Sequence, residues 1–208
     1  MATKPHFSRQ AFQFFRELKQ NNTRDWFAEN KSRFEDDVKA PALRLIEDLS
    51  PLLHDLSPHF TATPRSLFRI YRDTRFGKGK TPYKAAVGIH LRHEQLKDAH
   101  GIWRPASPAL GQIREYLVED PARWKRVANG TRFKKVFQLE GDRLKRAPRG
   151  FDPDHTMIED LRRKDFVAVQ RTTQTLATGL DLPTELAKTY KAGLPLMRLL
   201  CNALAVPF

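Results

Sequence analysis

The chain has a single cysteine, Cys201, so no disulfide can close within it. The apolar neighbours of that thiol predict a buried, inert side chain. No apolar run is long enough for a membrane span. The closing stretch LPLMRLLCNALAVPF therefore reads as a packed helix, and no membrane association is expected. The opening MATKPHFSRQ lacks the apolar core of a secretory leader, which makes a cytoplasmic location the expectation. Internal repeats and low-complexity linkers are also missing, so the 208 residues are read as one domain with a sizeable core. With 40% hydrophobic and 29% charged residues, the composition is that of a globular chain and excludes a disordered one.

What the chain does have is uneven positive charge. Residues 1–60 carry 9 Lys and Arg against 9 Asp and Glu, and residues 152–208 carry 7 against 7. Residues 61–151 carry 21 against 8, which accounts for the entire net charge of +13. A basic middle section can attract phosphate-bearing partners over long range, although folding can also spread such charge over several faces.

Periodicity divides the chain into a helical segment (1–60), a basic sheet region (61–106) and mixed helices with a hairpin (107–208). Ser8 is placed to cap a helix carrying Phe12, Phe15 and Leu18. Thr23 is placed to cap a second, carrying Trp26, Phe27, Phe34 and Val38. Pro41 either kinks that helix or opens a third. These aromatics at helical spacing are read as core. SLFRIYRD alternates, with Phe68 and Ile70 on one face and Arg69, Tyr71 and Asp73 on the other. KAAVGIHLRH reads as a second, antiparallel strand beyond the loop GKGKTP. Ser107 and Asp120, each followed by proline, predict two helix starts, and Gly130 a helix end. FKKVFQLEGDRLKR suggests a hairpin turning at Glu140–Asp142, DHTMIEDLRRK a short helix, and DFVAVQ a strand. A long helix follows from about Leu182, with Pro195 expected to kink it. The predicted class is α+β, an antiparallel sheet flanked by N-terminal and C-terminal helices in a single compact domain.

The stretch FRIYRDTRFGKGKTPYK carries the candidate site. The loop within it is not a Walker A motif. Thr74 stands where the first glycine is required, and Pro82 interrupts the position of the phosphate-binding helix. No nucleotide-type cofactor is implied. On a strand, Arg69, Tyr71, Asp73 and Arg75 share a face at intervals of about 7 Å, with Arg72 pointing the other way. Two arginines around one aspartate leave cationic capacity over, and guanidinium forks suit carboxylate or phosphate oxygens. Lys78, Lys80 and Lys84 add mobile charge, and Gly77 and Gly79 allow close backbone approach. The competing reading is a salt-bridge network in which Asp73 pairs with Arg69 and Arg75.

The order Arg69-x-x-Arg72-Asp73-x-Arg75-Phe76-x-x-x-Lys80-x-x-Tyr83 resembles the signature of a bacterial and fungal family, domain of unknown function 2461. LKQNNTRDWFAENKSRFEDDV followed by Pro41 resembles that family's opening, and RWKRV, LKRAPRGFDPDH and LRRKDFVA its latter half. The resemblance covers nearly the whole chain. It implies a single compact α+β domain and carries no activity with it. The chain departs from the family's pattern at Gly79, where an acidic or amide residue is frequent. It departs again between His100 and Gly101, where an additional stretch is usual.

Two further groupings complete the inventory. His90, His93 and His100 follow the basic stretch together with Glu94 and Asp98, but no set at a recognised metal-ligand spacing emerges and no metal is expected. In RFKKVFQLEGDRLKRAPRG basic residues alternate with Phe133, Phe137 and Leu139, a nucleic-acid-like pattern in which both phenylalanines are still read as core. The resulting expectation is a phosphate- or anion-binding module for nucleic acid or a phosphorylated small molecule. Arg69, Arg72 and Arg75 would hold oxygens, Lys80 and Lys84 would add charge, Tyr83 would hydrogen-bond or stack, and Asp73 would orient the arginines. An enzyme acting on an anionic substrate, with Asp73 or His93 as proton carrier, is the alternative. A purely structural ion-pair network is the third.

Overall fold

The aromatic repeat at the start does fold as helix. In the computed structural model, which describes residues 4–72, 81–89, 92–93 (backbone only) and 105–208, α1 spans Arg9–Gln20 and buries Phe14 and Leu18. Ser8 sits at its N-cap in extended backbone but makes no side-chain cap bond. Thr23 does cap α2 (Arg24–Glu29), its hydroxyl accepting from the Trp26 N–H at 3.3 Å. α3 (Lys31–Arg33) leads through a π-helical turn (Phe34–Lys39) into α4 (Ala40–His54). Pro41 is the second residue of α4, which follows the π-helical turn without a break. It has no N–H to return to the preceding turn, and the wider π-turn immediately before it accommodates that loss.

The chain divides into two compact units. The first comprises Met1–Leu53, Ala62–Leu91 and Thr172–Ala187, and the second His54–Thr61, Arg92–Arg171 and Lys188–Phe208. In the first, the rings of Phe14, Phe27 and Phe34 meet at centroid distances of 5.5–6.4 Å, so the amphipathic spacing of α1 and α2 is spent on packing.

The second unit holds two short antiparallel pairs. β1 (Phe60–Thr61) pairs with β2 (Arg92–His93), and β3 (Gln138–Glu140) with β4 (Val167–Val169), Leu139 lying opposite Ala168. The hairpin expected around Glu140–Asp142 is therefore not formed between its own two halves. Gly141, at φ +121°, turns the chain after β3, and Arg143 then bridges to Arg163. Alternation identifies a strand but not its partner. α5 (Ser107–Glu119) starts at Ser107 itself, with Ala106 at the cap. α6 (Pro121–Ala128) is capped as expected, Asp120 accepting from the Arg123 N–H at 2.8 Å. α7 (Thr131–Lys134) places Phe133 in the core, and Phe137 is buried with it. α8 (Ile158–Leu161) follows in this unit, α9 (Gln174–Ala177) belongs to the first, and α10 (Leu182–Ala203) starts in the first and continues in the second, running unbroken through Pro195.

Around Trp124 the core of this unit gathers Ile113, Leu117, Leu161, Phe166 and Leu196. Arg114 is buried beside it, donating from Nε to the Leu161 carbonyl at 2.7 Å and from Nη2 to that of Arg163 at 3.1 Å. Cys201 is fully buried, and desolvation pushes its thiol up to about 11, consistent with an unreactive side chain. The class is α+β. Among the described residues no helix is long and apolar enough to cross a membrane.

Candidate anion-binding site

The site lies in the first unit, on two chain segments joined as an irregular antiparallel ladder. Leu67 bridges Ile89 and Tyr71 bridges Tyr83. Between those bridges the first segment advances four residues and the second six, so two extra residues are accommodated around Ala85–Val87. The backbone bonds agree: Arg72 N–H donates to Pro82, Lys84 N–H to Ile70, and Phe68 N–H to Gly88, each at 2.8 Å. A bulge of this kind bends a strand and re-aims its side chains. It accounts for Phe68, expected on the same face as Ile70, being 44% exposed while Ile70 is buried. The Phe68 ring lies against Gly88, where a β-carbon would come within 2.5 Å of it.

The side chains of Arg69 and Arg72 are both exposed, and neither guanidinium makes a hydrogen bond or ion pair with any described residue. Lys84 lies close enough to feel the charge of both. Its ammonium donates to the Arg69 carbonyl at 2.8 Å and stands 5.4 Å from the centroid of the Phe68 ring. Partial burial lowers the Lys84 pKa, and the positive charges of Arg69 and Arg72 lower it further. Three cations thus share a small surface and repel one another, with no carboxylate among the described residues to offset them.

Tyr83 takes a different position. It is only 5% exposed, and its ring stacks on Phe27 at 4.1 Å and 18°. Burial is the main cause of its raised pKa. Asn22, read from sequence merely as part of the polar turn QNN, clamps this tyrosine from both sides. Its Oδ1 accepts from the Tyr83 N–H at 3.0 Å, and its Nδ2 donates to the Tyr83 carbonyl at 3.1 Å. Neither Asn22 nor Phe27 carries a local signal of this role, because the contact spans most of the first unit's sequence. Replacing Asn22 with Ala would leave a part-buried peptide unit without partners. It is expected to cost about 2 kcal/mol in urea denaturation, against under about 0.5 kcal/mol were the bonds replaced by water.

Asp73, Arg75, Lys78 and Lys80, with Gly77 and Gly79, lie outside the described residues, as do His90, Glu94, Asp98 and His100. His93 belongs to β2, its backbone opposite Phe60, and its side chain is likewise outside them. Among the described residues no group of three metal-ligating side chains converges. A hollow lined by Phe15, Phe34, Val38, Lys39 and Phe68 encloses about 10 Å³, room for roughly one water. In the second unit, Lys134, Lys135, Lys145, Arg146 and Arg149 of the second basic run are exposed, while Arg143 pairs with Glu159 at 3.3 Å.

A family model described as conserved hypothetical protein (DUF2461) matches residues 10–199. No curated protein and no solved structure matches the chain.

Proposed function

The chain belongs to the DUF2461 family of conserved hypothetical proteins, and from that premise we propose that it is a phosphate-binding module for nucleotide or nucleic-acid ligands. One observation carries the reading: Arg69 and Arg72 are exposed without a described acidic partner, and their charge already disfavours protonation of Lys84 beside them. Among the described residues no carboxylate pairs with those guanidiniums, whereas Arg33 has its Glu17 at 2.7 Å. An anion placed among the three cations would relieve their repulsion and gain charge-assisted hydrogen bonds from two planar forks.

Titration of a labelled mixed-sequence single-stranded oligonucleotide tests this. Three phosphate contacts predict a slope of log affinity against log salt near about −2, so that affinity falls roughly twentyfold between about 50 and 200 mM salt. Affinity is also expected to fall as pH rises. Because the Lys84 pKa is lowered, its charge is lost before the ordinary lysine range of about 10.4 is reached, and the decline begins correspondingly early. No binding at low salt would overturn the proposal.

A further inference from the structure

Among the described residues the large apolar side chains left in solvent are Phe68, Tyr71 and Leu180. The two aromatic ones stand on one short run with Arg69 and Arg72. Tyr71 is the more exposed, at 57%. It is also braced from beneath. Its ring meets Phe27 edge-on at 6.1 Å and Tyr83 at 5.5 Å, while Tyr83 is stacked on Phe27 and clamped by Asn22. An exposed aromatic held this firmly has already lost much of its rotamer freedom, so a planar ligand laid upon it gains contact at little entropic cost.

We propose that Tyr71 is a base-stacking platform and that the ligand of this surface is a single-stranded nucleic acid, one base lying on the Tyr71 ring and the adjoining phosphates on Arg69 and Arg72. The inference rests on the phosphate-binding reading and adds the substrate class to it. By alternation Arg69 shares Tyr71's side of the segment at about 7 Å and Arg72 adjoins the ring in sequence, so that phosphates flanking a stacked base would meet a guanidinium. A duplex keeps its base faces stacked on one another, so it could offer this surface only its phosphates. Stacking on an aromatic side chain needs a base whose face is open, and it is indifferent to which base that is. Lys84, beside the arginines, adds field without adding sequence preference.

The discriminating experiment uses the full chain at about 50 mM salt with two probes of equal length and charge. One is a twelve-nucleotide oligothymidylate, and the other an abasic deoxyribose-phosphate chain. Oligothymidylate is expected to bind at least about tenfold more tightly, within the range that one stacked base contributes. Tyr71→Leu should abolish that preference while leaving the salt slope unchanged, and Tyr71→Phe should keep it. If the two probes bind equally, or if Tyr71→Leu retains the preference, the stacking assignment is wrong while phosphate binding stands. If neither probe binds, both readings fall together. Should Tyr71→Leu not fold, Tyr71→Trp serves instead. Its additional emission is expected to be quenched by oligothymidylate and not by the abasic chain, and an unquenched signal overturns the proposal.

Discussion

The double variant Arg69→Glu/Arg72→Glu is expected to weaken oligonucleotide binding on the order of a hundredfold at about 50 mM salt, equivalent to about 2.7 kcal/mol. Two attractive contacts become repulsive ones, and the salt slope should flatten from about −2 towards zero or change sign. Stability should move little. Both side chains are exposed and make no described bond, a setting in which substitutions usually stay within about 0.5 kcal/mol. Lys84 would then sit beside carboxylates instead of guanidiniums, which raises its lowered pKa and favours its charged form. Loss of affinity with an unchanged melting temperature is therefore the signature of a ligand site. A structural network predicts the reverse, a lower melting temperature and no affinity to lose. Fluorescence anisotropy and thermal denaturation on the same preparation separate the two.

How far the sequence anticipates this site depends on the distance over which each feature is decided. The caps at Thr23 and Asp120 are local, set by a hydroxyl or carboxylate three residues before an amide, and both form as read. The excess of cations between residues 61 and 151 is a matter of counting, and the exposure of Arg69 and Arg72 agrees with it. The two tyrosines are another matter. Strict alternation places Tyr71 on the charged face, and nothing nearby distinguishes its fate from that of Tyr83. Which ring is buried is decided by Phe27 on α2, and which backbone is clamped is decided by Asn22 just before it. The different fates of Phe68 and Ile70, which alternation puts on one face, have a related cause. The two extra residues around Ala85–Val87 lie on the opposing segment, so the departure from alternation cannot be seen in SLFRIYRD itself. The pairing of β3 with β4 is not legible locally, because the turn at Gly141 has the sequence character of the tip of a local hairpin.

That turn carries the largest expected effect on stability. Gly141→Ala is expected to destabilise the protein by about 4 kcal/mol, from two separate sources. The backbone at φ +121° is one that residues with a β-carbon adopt only under strain, costing about 1–3 kcal/mol. The added methyl would also stand 2.4 Å from the Asp165 β-carbon and 2.9 Å from its Oδ2, closer than any packing tolerates, for roughly another 1–3 kcal/mol. Asp165 has little room to withdraw. It is 1% exposed, and its Oδ2 accepts the Asp142 N–H at 2.8 Å. Moving it would disturb the neighbouring bonds from Lys164 N–H to Asp142 and from Leu144 N–H to Arg162, which fasten the residues after Gly141 to those before β4. Urea denaturation followed by tryptophan emission, to which buried Trp124 of the same unit contributes, measures the loss. A change under about 1 kcal/mol would mean that the turn relaxes freely and that Asp165 is not fixed as described. Because Gly141 belongs to the second unit and Arg69, Tyr71, Arg72 and Lys84 to the first, oligonucleotide affinity measured below the onset of melting is expected to match the parent. A variant that binds normally while folding poorly would locate ligand recognition in the first unit by a route independent of any substitution at the arginines.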